Sequence, residues 1–571
     1  MAAFHCLAPE LVHCIGQYCE LKDMQSLRLT CKYLADQFES EILHTLSLNV
    51  YRTNIGRPLS KILFLARNPA STPSRAVRHL SLGSLSPKHD INIDTESFGM
   101  FEDTLVPYPP PPFSPRVLTA EEDMKKYLLN ALISLKNVQS VTWKTATADE
   151  EWAHSIVLEA LKSYKNLIKV DISLAHARIS LPLHLFTTLQ SVSIDEHSET
   201  ADDSLNAETI INLSRLLAVI PANQLTSLAV HREWQGTRTT KALCIHDLFQ
   251  FYPSKAPPLR LTHLELQNAF MKLDARIIPH LRHLTSLYVY NILEPCREPI
   301  VRGYRGIFSK LSAISDEVMH LQTRAGCTLD ELWEAMSREG IYLLEIRLSN
   351  VVSGFLEYLG QYTGLKKLVI STGLFLTGAD SDVVAKVFFA EPLERHQESL
   401  EELVINATYE GLWCFGEHNV ASIRRLRALK VLTISISSSD LGKEEDVHDH
   451  GERRKDVVKL LLDTCALHLP ALHHLILRPA ILDSQGQIGG SSARSRSRSY
   501  AHFNLVQSRI VRRLSEYYAP NPPTHEGRRI DKGGLPIVSV WRGMFYPEWK
   551  DAERTWGYRI TPEDRLLCER V

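Results

Sequence analysis

The sequence predicts an α/β solenoid, a long parallel sheet backed by helices, with a small helical module in front of it. Three observations predict it. One six-residue apolar frame recurs along most of the 571 residues. The spacers between frames carry apolar residues at helical spacing. Residues 1–40 follow a different, purely helical pattern.

The leading module comes first in the chain. Pro9 and Glu10 suit a first helical turn, because proline lacks an N–H that would be unpaired there and a carboxylate complements the positive helix end. Leu11, Val12, Ile15 and the pair Tyr18-Cys19 then fall on one face. Asp23 is placed to cap a second helix, in which Met24, Leu27, Cys31 and Leu34 repeat at helical spacing. Helices this short bury too little surface to stand alone, so the module needs a neighbouring domain or a partner.

The frame Φ-x-x-Φ-x-Φ, with Φ apolar, begins at Leu43/Leu46/Leu48, Val77/Leu80/Leu82, Val138/Val141/Trp143 and Leu167/Val170/Ile172. It continues at Leu189/Val192/Ile194, Leu225/Leu228/Val230, Leu261/Leu264/Leu266 and Leu284/Leu287/Val289. Further copies are Leu343/Ile346/Leu348, Leu365/Leu368/Ile370, Leu400/Leu403/Ile405, Leu429/Leu432/Ile434 and Leu472/Leu475/Leu477, with a weaker one at Leu535/Val538/Val540. Alternate strand residues share a face, so the last two apolar positions point into one core. A single such strand cannot bury that side, and stacking many of them can. Helical spacing within 127–135, 156–161, 210–220 and 457–462 supplies the covering layer. Successive frames lie mostly 22 to 36 residues apart, and two gaps of about sixty, Leu82 to Trp143 and Val289 to Leu348, must hold insertions. Asn49, Asn268, Asn291 and Asn350 follow four of the strands. Leucine-rich repeats use an asparagine near this place to hold the turn, here one residue early.

The remaining segments are irregular. Within 86–120, Val106-Pro107-Tyr108-Pro109-Pro110-Pro111-Pro112-Phe113-Ser114-Pro115 reads as an extended insertion loop. Residues 440–456 form a charged loop in which His448 and His450 are expected to be solvated. The Ser/Arg-rich stretch 484–500 is expected to be a disordered linker, and 501–571, with Trp541, Trp549 and Trp556, a cap. The array itself is expected over 41–483.

Composition excludes some classes. Hydrophobic residues make up 44% and charged residues 23%, with net charge −2 and pI about 6.9. That balance points neither to nucleic acid nor to an anionic membrane. The ten cysteines contain no C-x-x-C pair, which argues against a zinc site and fits reduced thiols in the cytosol or nucleus. No signal peptide or membrane span is expected. His5-Cys6 and His13-Cys14 lack the arginine a phosphatase needs six residues on, since Val12 and Glu20 stand there. Phosphate-loop, zinc-protease and nucleophile-elbow motifs are missing as well, so neither enzyme activity nor a cofactor is expected.

The run Leu7-Ala8-Pro9-Glu10-Leu11-Val12, Ile15, Tyr18, Asp23-Met24 and Leu27-Arg28-Leu29-Thr30-Cys31-Lys32 resembles an F-box. The resemblance covers about thirty residues. Ala8 stands where the family often has proline, Cys19 replaces a common leucine and Leu34 a common tryptophan; all three are apolar. The resemblance, together with leucine-rich repeats, implies a substrate receptor of a Skp-cullin-F-box ubiquitin ligase. It assigns Leu7, Pro9, Glu10, Leu11, Ile15, Leu27 and Leu29 to the Skp adaptor. A helical cap for the array, or a ligase-independent scaffold, are the rival readings. A protein substrate is expected on the sheet face, at outward strand residues Lys169, Asp171, His231, Glu265, Tyr288, Tyr290, Arg347 and Arg478.

Overall fold

A computed structural model describes residues 7–19, 21–89, 113–196, 203–232, 243–290, 292, 328–371, 378–441, 456–480, 493–517, 536–540, 556–560 and 566–570. The chain forms two compact units, Met1–Gln235 with His246–Leu261, and Gly236–Ile245 with Thr262–Val571. Residues 41–483, expected to form the array, fall in both units.

The first unit opens with α1 (Pro9–Gln17), α2 (Leu21–Arg28) and α3 (Lys32–Ile42). Its sheet follows: β1 (Thr45–Val50), β2 (His79–Leu85), β3 (Ser140–Lys144), β4 (Lys169–Ser173), β5 (Ser191–Glu196) and β6 (Ser227–Arg232). These six strands pair in chain order, all parallel. In the second unit β7 (Leu243–Cys244) and β9 (Ala269–Phe270) make a separate two-stranded sheet. The main sheet contains β8 (His263–Gln267), β10 (Ser286–Tyr290), β11 (Glu345–Leu348), β12 (Lys367–Ser371), β13 (Glu402–Asn406), β14 (Val431–Ile436), β15 (His474–Pro479) and β16 (Ile537–Val540). These eight are parallel in chain order. Two antiparallel strands, β17 (Trp556–Ile560) and β18 (Leu566–Arg570), finish that sheet.

The last two apolar positions of every frame, including Val538 and Val540 of the weak last one, fall on one of fourteen parallel strands among the described residues, and equivalent frame positions pair; Leu535 lies outside the described residues. Leu80 lies beside Leu46 and Val141, and Leu82 beside Leu48 and Trp143. Leu403 lies beside Leu368 and Leu432 in the same way. The inward ladders Val141–Val170–Val192–Leu228 and Leu264–Leu287–Ile346–Leu368 are buried throughout. Register is also held by the backbone where each strand begins. The carbonyl of His44 accepts both Arg78 N–H (2.9 Å) and His79 N–H (3.0 Å). The Lys430 carbonyl accepts His473 N–H (3.0 Å) and His474 N–H (3.2 Å) in the second unit. One oxygen therefore ties two successive donors of the next repeat, which leaves no room for a one-residue slip.

Of the four expected helical segments, 156–161 and 457–462 lie within helices Glu151–Ser163 and Val457–His468, while 127–135 and 210–220 overrun the ends of helices Pro115–Ile133 and Asp203–Val219 by two residues and one. Asp456 caps helix Val457–His468 through Val458 N–H (3.0 Å) and Lys459 N–H (3.2 Å). Thr328 and Glu331 form a reciprocal capping box on helix Leu329–Arg338, within one of the two long gaps. The other long gap holds Pro115–Ile133, which starts inside the expected insertion loop; 90–112 lie outside the described residues.

Carboxylates, more than asparagines, hold the turns after the strands. Asp149 is fully buried and accepts Leu85 N–H at 2.8 Å and Ala146 N–H at 3.0 Å. Asp330 accepts Gly354 N–H (2.6 Å), Asp382 accepts Leu412 N–H (2.6 Å) and Glu410 accepts Ser438 N–H (2.7 Å). Asn268 does occupy a special turn position, with φ at 53°, in the left-handed region that asparagine tolerates. Asn49 instead lies within β1, its side chain over Gly83, where a Cβ would come within 2.6 Å of it. Asn291 lies outside the described residues.

Two further expectations change. The second helix of the leading module is broken by a turn at Leu29–Cys31, so Leu34 belongs to α3 and Asp23 lies inside the first turn of α2. The described part of the Ser/Arg stretch, 493–500, is helical: it begins helix Ala493–Ser515, which runs on into the expected cap. Phe503, Val506, Ile510, Leu514 and Tyr517 bury one side of that segment, a helical stripe that outweighs the polar composition of its first turns. Residues 442–455, with His448 and His450, lie outside the described residues, as do Trp541 and Trp549.

Candidate protein-docking surfaces

The leading module is built on a small core of Val12, Leu34 and Phe38, with Leu7, Met24, Leu27, Cys31, Tyr33 and Ile42 packed against it. Tyr33 donates its hydroxyl proton to the Leu7 carbonyl at 2.7 Å, which fastens the start of α1 to the start of α3. Gly16 lets the other end of α1 approach closely, since a Cβ there would fall 2.8 Å from the Phe38 ring. His13 Nδ1 lies 2.5 Å from Glu41 on the same pair of helices. These contacts use one side of α1 and leave the other to solvent.

That outer side is apolar. Leu11 is 55% exposed, Ile15 43%, Tyr18 92% and Leu29 87%. Leu11, Ile15 and Tyr18 are spaced four and three residues apart, so they form a continuous helical stripe. Of the seven residues expected at the adaptor contact, Pro9, Glu10, Leu11, Ile15 and Leu29 are exposed, whereas Leu7 and Leu27 pack inward on the module's own core. Tyr18, not among those seven, is the most exposed large apolar residue of the module; its place seven residues after Leu11 is the signal that marks it.

The residues expected on the sheet face fall into both units. Lys169 and Asp171 lie two apart on β4, with His231 on β6, in the first. Glu265, Tyr288, Tyr290, Arg347 and Arg478 lie in the second. There Tyr288 sits between Glu265 and Arg347 in register, so three neighbouring strands bring these side chains together. The Arg347 guanidinium stacks over the Tyr288 ring at 4.2 Å, and the Tyr288 hydroxyl donates to Glu345 at 2.9 Å. His263 meets the same ring edge-on at 4.7 Å, lies 2.8 Å from Ser286 Oγ and 3.7 Å from the Glu265 carboxylate. Burial raises the Tyr288 and Tyr290 phenols, so both stay neutral donors. The cluster is preorganised, and Tyr288 is nearly buried within it.

Arg478 is not part of that cluster. It lies on β15, where it donates to Asn406, whose amide in turn donates to Ser371 at 3.2 Å. Burial lowers its pKa to about 10. With Asn406 and Ser371 it forms a hydrogen-bonded polar row on that sheet.

Among the described residues no group of three His, Cys, Asp or Glu side chains is arranged to hold a metal. The buried thiols Cys414 and Cys465 are pushed up to about 12 by desolvation and so remain protonated. No helix of the described residues is long and apolar enough to cross a membrane.

No protein-family model matches the chain. No curated protein matches it either. Among solved structures it is similar to an internalin (inlF) from Listeria monocytogenes str. 4b F2365, at 12% identity over 63% of this chain and 80% of that one, with a TM-score of 0.25.

Proposed function

We propose that this leucine-rich-repeat-type chain is the substrate-recognition subunit of a Skp-cullin-F-box ubiquitin ligase, in the cytoplasm or nucleus. The observation that carries the reading is the solvent-facing stripe Leu11–Ile15–Tyr18, with Leu29, on an F-box-like run whose Leu7, Val12, Met24, Leu27 and Cys31 pack into its own core. An exposed apolar strip on a small polar-rimmed module marks a protein contact. The repeat array then holds a target protein, and ubiquitin transfer follows from effective concentration, not from chemistry in this chain.

The test is co-purification of the Pro9→Ala/Leu11→Ala double variant with a Skp adaptor, a cullin and its RING partner. Both residues are exposed, so the fold should survive, and circular dichroism checks that it does. Loss of all three partners is expected. Undiminished adaptor binding by a folded double variant would refute the assignment. Adaptor binding by the parent chain without the cullin would point to the scaffold instead.

A further inference from the structure

We infer that the open edge of β1 is closed against a second copy of this chain by Lys61, whose ammonium occupies the Ser47 carbonyl that an added strand would need.

β1 is the first strand of its sheet and pairs with β2 alone among the described residues. Its backbone groups point alternately to β2 and away from it. The His44 carbonyl accepts His79 N–H from β2, so the even-numbered groups face that side and those of Thr45 and Ser47 face the edge. Both residues are exposed. Among the described residues the Ser47 N–H meets no acceptor. An unpaired strand edge is a template for another strand. A second copy suits this one best, because two β1 edges related by a two-fold axis at Ser47 would offer each other the same donors and acceptors.

The acceptors, however, are already taken. Lys61 Nζ lies 3.3 Å from the Ser47 carbonyl, and Asn54 donates its amide to the Asn49 carbonyl at 3.1 Å. The register shift between Leu48 and Val50 then ends the regular run of the strand. Lys61 is carried on helix Gly56–Arg67, which Pro58, Ile62 and Leu65 seat in the core, so its position is set by packing. Burial lowers its pKa, and Arg57 one turn earlier lowers it further. Lys61 is thus held in a place that disfavours its charge, and the Ser47 carbonyl offsets part of that cost.

Charge works in the same direction. Residues 42–89, from the end of α3 through β2, contain seven Lys and Arg and no Asp or Glu. Lys88 is neutralised by Glu121 and Glu150 of the next repeats, but Arg57, Lys61, Arg67, Arg75 and Arg78 make no ion pair among the described residues. Two copies meeting at β1 would bring the two Lys61 ammoniums together, and like charges repel. A lysine on an edge strand is a common way to keep sheets from joining.

The experiment is sedimentation velocity of the full chain over a concentration series, with hydrogen exchange of the Ser47 amide measured on the same samples. The variants are Lys61→Arg, Lys61→Met/Asn54→Ala, and that double variant with Ser47→Pro added, each checked for fold by circular dichroism. The parent and Lys61→Arg should sediment as monomers with a fast-exchanging Ser47 amide. The double variant should self-associate, its mass rising about twofold, and protect that amide. Ser47→Pro removes the N–H that faces the edge, where proline is tolerated, and should return the double variant to monomer. A folded double variant that stays monomeric would overturn the inference. Association that Ser47→Pro does not reverse, or that leaves the Ser47 amide unprotected, would place the contact elsewhere and overturn it too. A parent chain that already protects this amide by dimerising would do the same.

Discussion

His154 and His396 show what single side chains do in the two units. His154 Nδ1 accepts the Arg178 N–H at 3.2 Å, beside the Trp143 ring at 5.5 Å. His396 Nδ1 accepts the Leu365 N–H at 3.3 Å and its other nitrogen faces the Leu359 carbonyl at 3.2 Å, a bridge that only the neutral ring can make. Burial lowers both pKa values to about 4, against 6.5 in the unfolded chain. Between those two values the unfolded state binds more protons than the folded one, so stability is complete above pH 6.5 and falls as the pH drops through the window. Each histidine contributes a slope of about 1.4 kcal/mol per pH unit there. Urea midpoints measured across this range should fall steeply for the parent chain and less steeply for His396→Gln, which can keep both hydrogen bonds but cannot take the extra proton. Their equal dependence would show that His396 does not carry the effect.

At the scale of elements, helix Ala493–Ser515 is the instructive case. Phe503, Val506, Ile510 and Leu514 recur three or four residues apart and are buried to the last. Tyr517 donates to Asp463 at 2.9 Å, so one end of the buried stripe is also pinned by a polar contact, and His502 lies 3.0 Å from Glu410 near the other. Truncating Ile510 to alanine should cost about 2–4 kcal/mol, read from the urea midpoint, because it removes apolar contacts and leaves a cavity. A loss below about 0.5 kcal/mol, the range of ordinary surface substitutions, would mean that the helix is not seated as described. The same logic separates the two faces of α1. Val12 faces the core and Leu11 faces outward, one residue apart in a helix that advances 100° per residue.

For the whole molecule, the two proposed contacts lie in different compact units. The apolar stripe belongs to the first, and the Glu265–Tyr288–Tyr290–Arg347 cluster to the second. They should therefore be separable. Tyr288→Phe/Tyr290→Phe/Arg347→Met, which keeps the bulk of each side chain, should remove a subset of the proteins captured with the chain while the adaptor remains. Affinity purification with quantitative mass spectrometry reads both at once. Retention of every captured protein would move the target contact away from this cluster, and loss of the adaptor as well would mean the variant is misfolded.

Strand positions were legible in the sequence because their signal is local and repeated. Two apolar residues at alternate positions, met fourteen times, predict which side of each strand is inside, and parallel stacking is what lets them all be buried. The exposed stripe of α1 was legible only in part, since the spacing puts Val12 on one face with Leu11, Ile15 and Tyr18, whereas the fold buries Val12 in the module's core. Other decisions needed the folded chain. Leu7 and Leu27 look like docking residues by motif, yet Val12, Leu34 and Phe38 claim them, because apolar residues of one short helical segment compete for the nearest core. The turn at Leu29–Cys31 breaks a spacing that reads as one helix. Asp149, Asp330, Asp382 and Glu410 hold backbone N–H groups of residues 24 to 64 positions away. Periodicity determines which residues must leave water; only the tertiary structure decides which distant group each buried polar atom will meet, since that depends on chain closure rather than on neighbours in sequence.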